Sequence, residues 1–485
     1  MSTANASTQN DELLPYTIFT RFQKALIISI VSLVATLSGF ASNIYFPAIP
    51  QIAEDLNIST NLVNLTVTCY MIFQGLSPTV WAAVADSKGR RITFTITLLI
   101  FIAACIGLAE TRSYAQLLIL RCLQSTGSAS TIALGAGVLG DITTRKERGG
   151  YMGVFQGGLL LPVAIGPVIG GLLSEKFNWL AVFWFLSAYG AACFVLTLVF
   201  LPETLRSIVG NGSVEAPGSA RSFLGTFQRK RYLKTKMNCA PVSQDSLEKQ
   251  KKMNFMGPLK VLTHLRTCMT VVFVGVHYMV WQMILTVLST LAKETYHTSE
   301  GQIGLLFLAN GIGSILGTLV IGKFLDYDYQ RIVRVYGGDE ERVPAEKARL
   351  WTIWIWSGIQ CSAVLVFGWT VRSRTHISVP IIALFVLGWT AISIQTVVST
   401  FLVDIHPDQS ASATAALNLV RCLLGAGGTA FVNPLLEKIN VGWASTFLVA
   451  LMISLSAGTL AKVVHGSALG RKARSVSSEQ AQQRG

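Results

Sequence analysis

Charge is what this chain has least of. Only 13% of its 485 residues are Asp, Glu, Lys or Arg, against about a quarter in soluble domains. Too few charges remain to cover a water-facing surface, while 51% of the residues are hydrophobic and mean hydropathy is +0.51. This excludes a string of soluble globular domains and leaves a body whose surface faces lipid.

Other absences narrow the function. No carboxylate stands near the centre of any long apolar run; Asp86, Asp141, Asp326 and Asp404 come nearest, at run ends. The eight cysteines form no Cys-x-x-Cys pair and no Cys/His ligand spacing, which argues against a metal site. None falls in a predicted outer loop, where an oxidising compartment could bridge it. No G-x-x-x-x-G-K-[ST] loop is present, which argues against an ATP-driven pump. No catalytic cluster shows, so neither an enzyme nor a cofactor is expected. The first 23 residues are polar and include Asp11, Glu12 and Pro15, which predicts no cleavable leader.

What the chain does have is apolar length. Runs at 24–46, 62–84, 93–110, 115–139, 149–173, 179–201, 269–292, 301–323, 350–371, 377–399, 412–434 and 443–465 suit a spanning helix of about 20 residues. They are continuous, without the alternation of a barrel strand, so helices are predicted. The expectation is an all-α membrane protein with 12 transmembrane helices in two six-helix halves, 24–201 and 269–465. A basic cytoplasmic linker, 202–268, joins them, and tails occupy 1–23 and 466–485.

The basic residues set the orientation. Of 39 Lys and Arg, the outer loops hold only Arg112, Lys176, Lys293, Arg372, Arg374 and Lys438. Both ends are therefore predicted to be cytoplasmic in a multi-pass protein of the cell membrane. The same bias accounts for the net charge of +14, which then does not point to nucleic acid. The linker carries twelve basic residues and reads as mostly disordered, with a short amphipathic piece around 255–266. It could lie on the anionic inner leaflet. The bilayer is the constant partner, and a monomer is expected.

The halves repeat one another. Ala82-x3-Asp86-x4-Arg91 follows the second run, and Gly322-x3-Asp326-x4-Arg331 follows the eighth. Leu172-Leu173-Ser174-Glu175-Lys176 precedes Trp179, and Leu435-Leu436-Glu437-Lys438 precedes Trp443. Such a repeat marks a transporter whose substrate site lies at mid-membrane between its halves.

The loop Ala82-Ala-Val-Ala-Asp86-Ser-Lys-Gly89-Arg90-Arg91 resembles the G-x-L-a-D-r-x-G-r-r loop of the major facilitator superfamily, with Ala82 and Ser87 departing from it. Arg121-Cys-Leu-Gln124-Ser-Thr-Gly127 is similar to the family's R-x-x-Q-G-x-G, with Ser125 in a glycine place. Gly153-x8-Pro162-x3-Gly166-Pro167-x2-Gly170-Gly171 is similar to its antiporter motif, with Pro162 in a glycine place. Leu201-Pro-Glu-Thr-Leu-Arg206, Asn43-Ile-Tyr-Phe-Pro47 and Tyr70-Met-Ile-Phe-Gln-Gly-Leu-Ser-Pro78 resemble the fungal twelve-span drug:proton antiporter family, in its quinidine-resistance and organic-acid exporter branch. The resemblance runs from about residue 25 to 465 and implies a major facilitator fold and export. Cargoes in that branch include drugs, short organic acids, and carboxylates such as citrate and itaconate.

By the same resemblance, Asp86, Gly89, Arg90 and Arg91, with Asp326 and Arg331 in the repeat, are expected to gate the inner helix ends. Gly166, Pro167, Gly170 and Gly171 should allow close helix packing and a bend. Two basic residues lie well inside runs, away from the run ends: Arg121, one turn from Gln124, and Arg421, one turn from Asn418. Each costs about 2.5–3.5 kcal/mol to place mid-membrane on insertion scales, so each needs a partner, either backbone carbonyls or an anionic substrate. His277 lies mid-run with Gln282 nearby. It reads as a hydrogen-bonded structural residue, or else as a substrate contact or proton site. Asn57-Ile58-Ser59 is a glycosylation sequon in a short predicted outer loop. The leading expectation is a secondary exporter of a small organic anion. The alternative is a broad drug:proton antiporter, in which protons are a second partner, and a nutrient-sensing receptor is a third reading.

Overall fold

The computed structural model describes residues 16–216, 221, 222, 225, 226, 228, 257–335, 352–405 and 410–482, with some helix side chains left aside. Every regular element among them is helical: α1 (Arg21–Asn43), α2 (Ile49–Asp55), α3 (Thr60–Lys88), α4 (Arg90–Ala109), α5 (Tyr114–Ile142), α6 (Arg145–Lys176), α7 (Leu180–Phe200), α8 (Arg206–Val209), α9 (Gly257–Leu262), α10 (Leu265–Tyr296), α11 (Glu300–Val335), α12 (Ile353–Arg372), α13 (Ser378–Ile405) and α14 (Ser410–Gln482), with a 3-10 turn at Phe46–Ala48. Helices prevail because they satisfy every backbone polar group within one segment, which an apolar solvent demands. Among the described residues, 11 helices are long and apolar enough to cross a membrane. The last of them, α14, is broken at Asn440 (φ 61°), so it carries two passes and the count becomes twelve.

The predicted runs fall on these helices, with three differences. Helix α11 continues to Val335, well past 323, and helix persists through Gln482 after the last run. Trp179, which opens the sixth predicted run, lies just outside α7; it is 2% exposed and donates its indole N–H to Asp55 Oδ2 at 2.8 Å. The predicted amphipathic piece at 255–266 contains α9, whereas most of the linker lies outside the described residues.

Contacts group the chain into two compact units. Unit 1 holds 76–162 and 180–255 with the first 41 residues, so α4, α5 and α7 lie wholly within it. Close packing there depends on Gly127, where a Cβ would stand 2.7 Å from Thr97 O. Unit 2 holds 42–75, 163–179 and 256–485, hence α9 to α14 together with the second parts of α1 and α6 and the first part of α3.

Two antiparallel seams run through unit 2. Along α3 and α14, Asn61 Nδ2 donates to Glu437 Oε1 (2.9 Å), Thr68 and Thr429 share a hydroxyl hydrogen bond (2.9 Å), and Gly75 faces Cys422. Along α6 and α11, the Gly301 N–H donates to Glu175 Oε2 (3.0 Å), and a Cβ on Gly304 would stand 2.6 Å from Pro167 O. Phe46 stacks on Phe307 at 5.6 Å, and Ser289 Oγ donates to Phe46 O at 2.6 Å.

Candidate functional site

Within unit 2, Arg421 is half-buried on α14, one turn from Asn418. Its Nη2 donates to Asn418 Oδ1 at 2.8 Å, and Asn418 Nδ2 donates to Gln74 O at 3.3 Å. The guanidinium carbon lies 4.7 Å from the centre of the Tyr278 ring on α10. Tyr278 packs edge-to-face on Trp281, whose indole N–H donates to Asn310 Oδ1 at 2.9 Å. Asn418 and Tyr278 thus hold the cation by a neutral amide and a ring face. Arg421 Nε has no hydrogen-bond partner among the described residues, and no described carboxylate pairs with this group. A fixed cation without a carboxylate partner can take an oxyanion.

Within unit 1, Arg121 is only 1% exposed. Its Nη1 donates to Gln124 Oε1 at 2.6 Å and to Ala41 O at 3.1 Å, while Gln124 Nε2 points at Cys105 Sγ (3.2 Å). Both expected arginine–amide pairs therefore form. Arg121 ties α5 to the end of the first-unit part of α1, whereas Arg421 is only partly covered.

The structure does not join His277 to Gln282. Instead Nδ1 lies 2.9 Å from Phe273 O and Nε2 lies 2.8 Å from Ser357 Oγ on α12. A carbonyl only accepts, so Nδ1 carries the proton, and in the neutral ring Nε2 then accepts from the serine hydroxyl. Gln360 Nε2 donates to His277 O at 3.2 Å, which adds a second bond between α10 and α12. Gln282 is 7% exposed on α10.

In unit 1 the loop after α3 turns at Gly89 (φ 109°), a conformation that suits glycine. Arg90 pairs with Asp86 (2.7 Å) and with Asp141 (3.1 Å), while Arg91 Nη2 donates to Leu198 O (2.6 Å). Glu203, 4% exposed, accepts from the backbone N–H groups of Arg90, Arg91, Thr204 and Leu205 at 2.9–3.2 Å. It caps α4, supplying partners and negative charge where a helix start has free donors. Glu203 and Asp141 are functional candidates that sequence reasoning missed as site residues, although Glu203 stood inside a quoted motif. In the repeat, Arg331 is exposed on α11, and the Asp326 side chain lies outside the described residues.

Gly166, Pro167, Gly170 and Gly171 are all buried on α6 in unit 2. A Cβ at Gly170 would collide with Ile44 O, and one at Gly171 with Glu300 O. Asn57 is exposed, with a positive φ of 51°.

A family profile described as the Major Facilitator Superfamily matches residues 31–429. Citrate exporter 1 of Aspergillus niger is 38% identical over 462 residues, covering 92% of this chain and 86% of that protein. The MFS antiporter QDR2 of Candida albicans is 33% identical over 458 residues, covering 92% and 89%. The human organic anion transporter MFSD10 (TETRAN) aligns with a TM-score of 0.57 over 89% of this chain and 98% of its own, at 16% identity, a likeness of fold alone.

Proposed function

The chain belongs to the major facilitator superfamily, and from that premise we propose that it exports a small organic anion, a di- or tricarboxylate metabolite such as citrate or itaconate, by alternating access. The observation that carries this reading is Arg421, a half-buried cation held by an amide and an aromatic face with no described carboxylate to neutralise it. A fungal citrate exporter among the relatives supports it. Arg121, in the same Arg-Cys-Leu context, serves the first half mainly as a helix tie. In a low-dielectric cavity an arginine–carboxylate pair gains strength, because water competes poorly. Export of an anion from a negative interior is favoured by about 2.3 kcal/mol per charge per 100 mV, so the cargo's own charge can drive it. The basic bias of the loops supports a cell-membrane placement with both termini inside.

A second reading, a broad drug:proton antiporter, is supported by the similarity to a fungal antiporter and by the aromatic pair Tyr278–Trp281, which suits apolar or cationic bulk. Efflux from cells preloaded with labelled citrate, itaconate or quinidine separates the two. Carboxylate efflux that depends on the intact chain supports the first reading. Efflux of quinidine and of no organic acid gives the second first place.

A further inference from the structure

The α3–α14 seam in unit 2 is polar along its length, and one member of it has no counterpart. Asn61 bonds Glu437, Thr68 bonds Thr429, and Asn418 bonds Gln74 O. Asn64 stands on the same face of α3, one turn from both Asn61 and Thr68. It is 1% exposed, yet neither its Nδ2 nor its Oδ1 has a hydrogen-bond partner among the described residues. The antiparallel register that sets Gly75 against Cys422 and Thr68 against Thr429 brings Asn433, one turn past Thr429, to the level of Asn64. No hydrogen bond joins the two amides.

An amide buried without partners penalises the state that buries it, and only that state. A contact that differs between two states shifts their equilibrium; one common to both does not. We propose that Asn64 is a positioning residue for transport that keeps this seam openable. Its unmet amide raises the free energy of the closed seam, so the helices part readily enough to release cargo, and the freed amide then meets water or the departing carboxylate. The first part of this inference rests only on alternating access; the last clause rests on the carboxylate reading above. Neighbouring seam positions carry less of this penalty: Asn61 keeps one bond through Nδ2 while its Oδ1 is unmet, and Thr68 and Thr429 satisfy each other, whereas both polar atoms of the Asn64 side chain are unmet.

The test reads the seam without any cargo, so it can fail or succeed independently of the carboxylate reading. In purified full-length protein with the eight native cysteines replaced by serine, the substitution Thr429→Cys places a thiol in the closed seam that reacts with a soluble reagent only when the helices part. Asn64→Leu has the branched shape of the native side chain without its polar atoms and should slow labelling about ten-fold. Asn64→Asp makes the burial costlier and should speed it by at least as much. A spin-label distance between positions 61 and 437 reads the same equilibrium without the buried thiol, and should show more of the short distance with Asn64→Leu. Unchanged rates in both variants, or shifts in the same direction in both, would overturn the proposal.

Discussion

The guanidinium carbon of Arg421 lies 4.7 Å from the centre of the Tyr278 ring, with Asn418 Oδ1 2.8 Å from Nη2. Arginine and tyrosine come from different helices, α14 and α10, so the pairing fixes the cation against the bundle wall. Nη2 is thus committed to the protein, and no described carboxylate neutralises the group. Arg121 is more deeply buried: at 1% exposure its Nη1 donates both to Gln124 and to a helix carbonyl.

Arg421→Lys should reach the membrane in normal amount and lose carboxylate export by ten-fold or more. Lysine keeps the charge but not the planar, forked guanidinium. Initial efflux rates normalised to folded protein check this, and efflux of uncharged drugs, where present, should change much less.

Arg121→Lys should act on stability first. It leaves Gln124 Oε1 or Ala41 O without its donor in a fully buried place, a loss of about 1–3 kcal/mol. Thermal unfolding of the detergent-purified protein should show a lowered midpoint. A native midpoint together with lost export would instead make Arg121 a cargo contact.

Both ring nitrogens of His277 are already engaged, by Phe273 O and Ser357 Oγ. His277→Gln should therefore leave the pH profile of export in place. His277→Leu, which abandons Ser357, should lower stability by about 1–3 kcal/mol. A displaced pH profile in His277→Gln would assign the transported proton to this ring.

Gly304→Val should abolish transport without preventing synthesis. A Cβ there meets Pro167 O at 2.6 Å, so the α6–α11 seam could not close. Permanent reactivity of a cysteine placed on α11 beside it, against intermittent reactivity with Gly304 intact, is the expected readout.

Much of this fold was written locally. Each spanning run is its own hydropathy signal, and the break between α3 and α4 was marked by Gly89. The pairs Arg121–Gln124 and Arg421–Asn418 were legible because three-residue spacing on a helix guarantees proximity. What stayed hidden depends on distant partners. Ser357 lies 80 residues from His277, and Glu203 lies 113 from Arg90. No local pattern says which helix will stand opposite. The burial of Trp179 followed from α2, a short helix whose seven residues fall outside the spanning runs and to which Trp179 hydrogen-bonds through Asp55.

The most direct test of the account is flux in sealed vesicles holding the purified chain, with the membrane potential clamped. Labelled citrate or itaconate should move toward the positive side, faster as the potential rises, and Arg421→Lys should remove most of that movement. Cationic drug flux against a proton gradient, with no carboxylate flux at any potential, would contradict it.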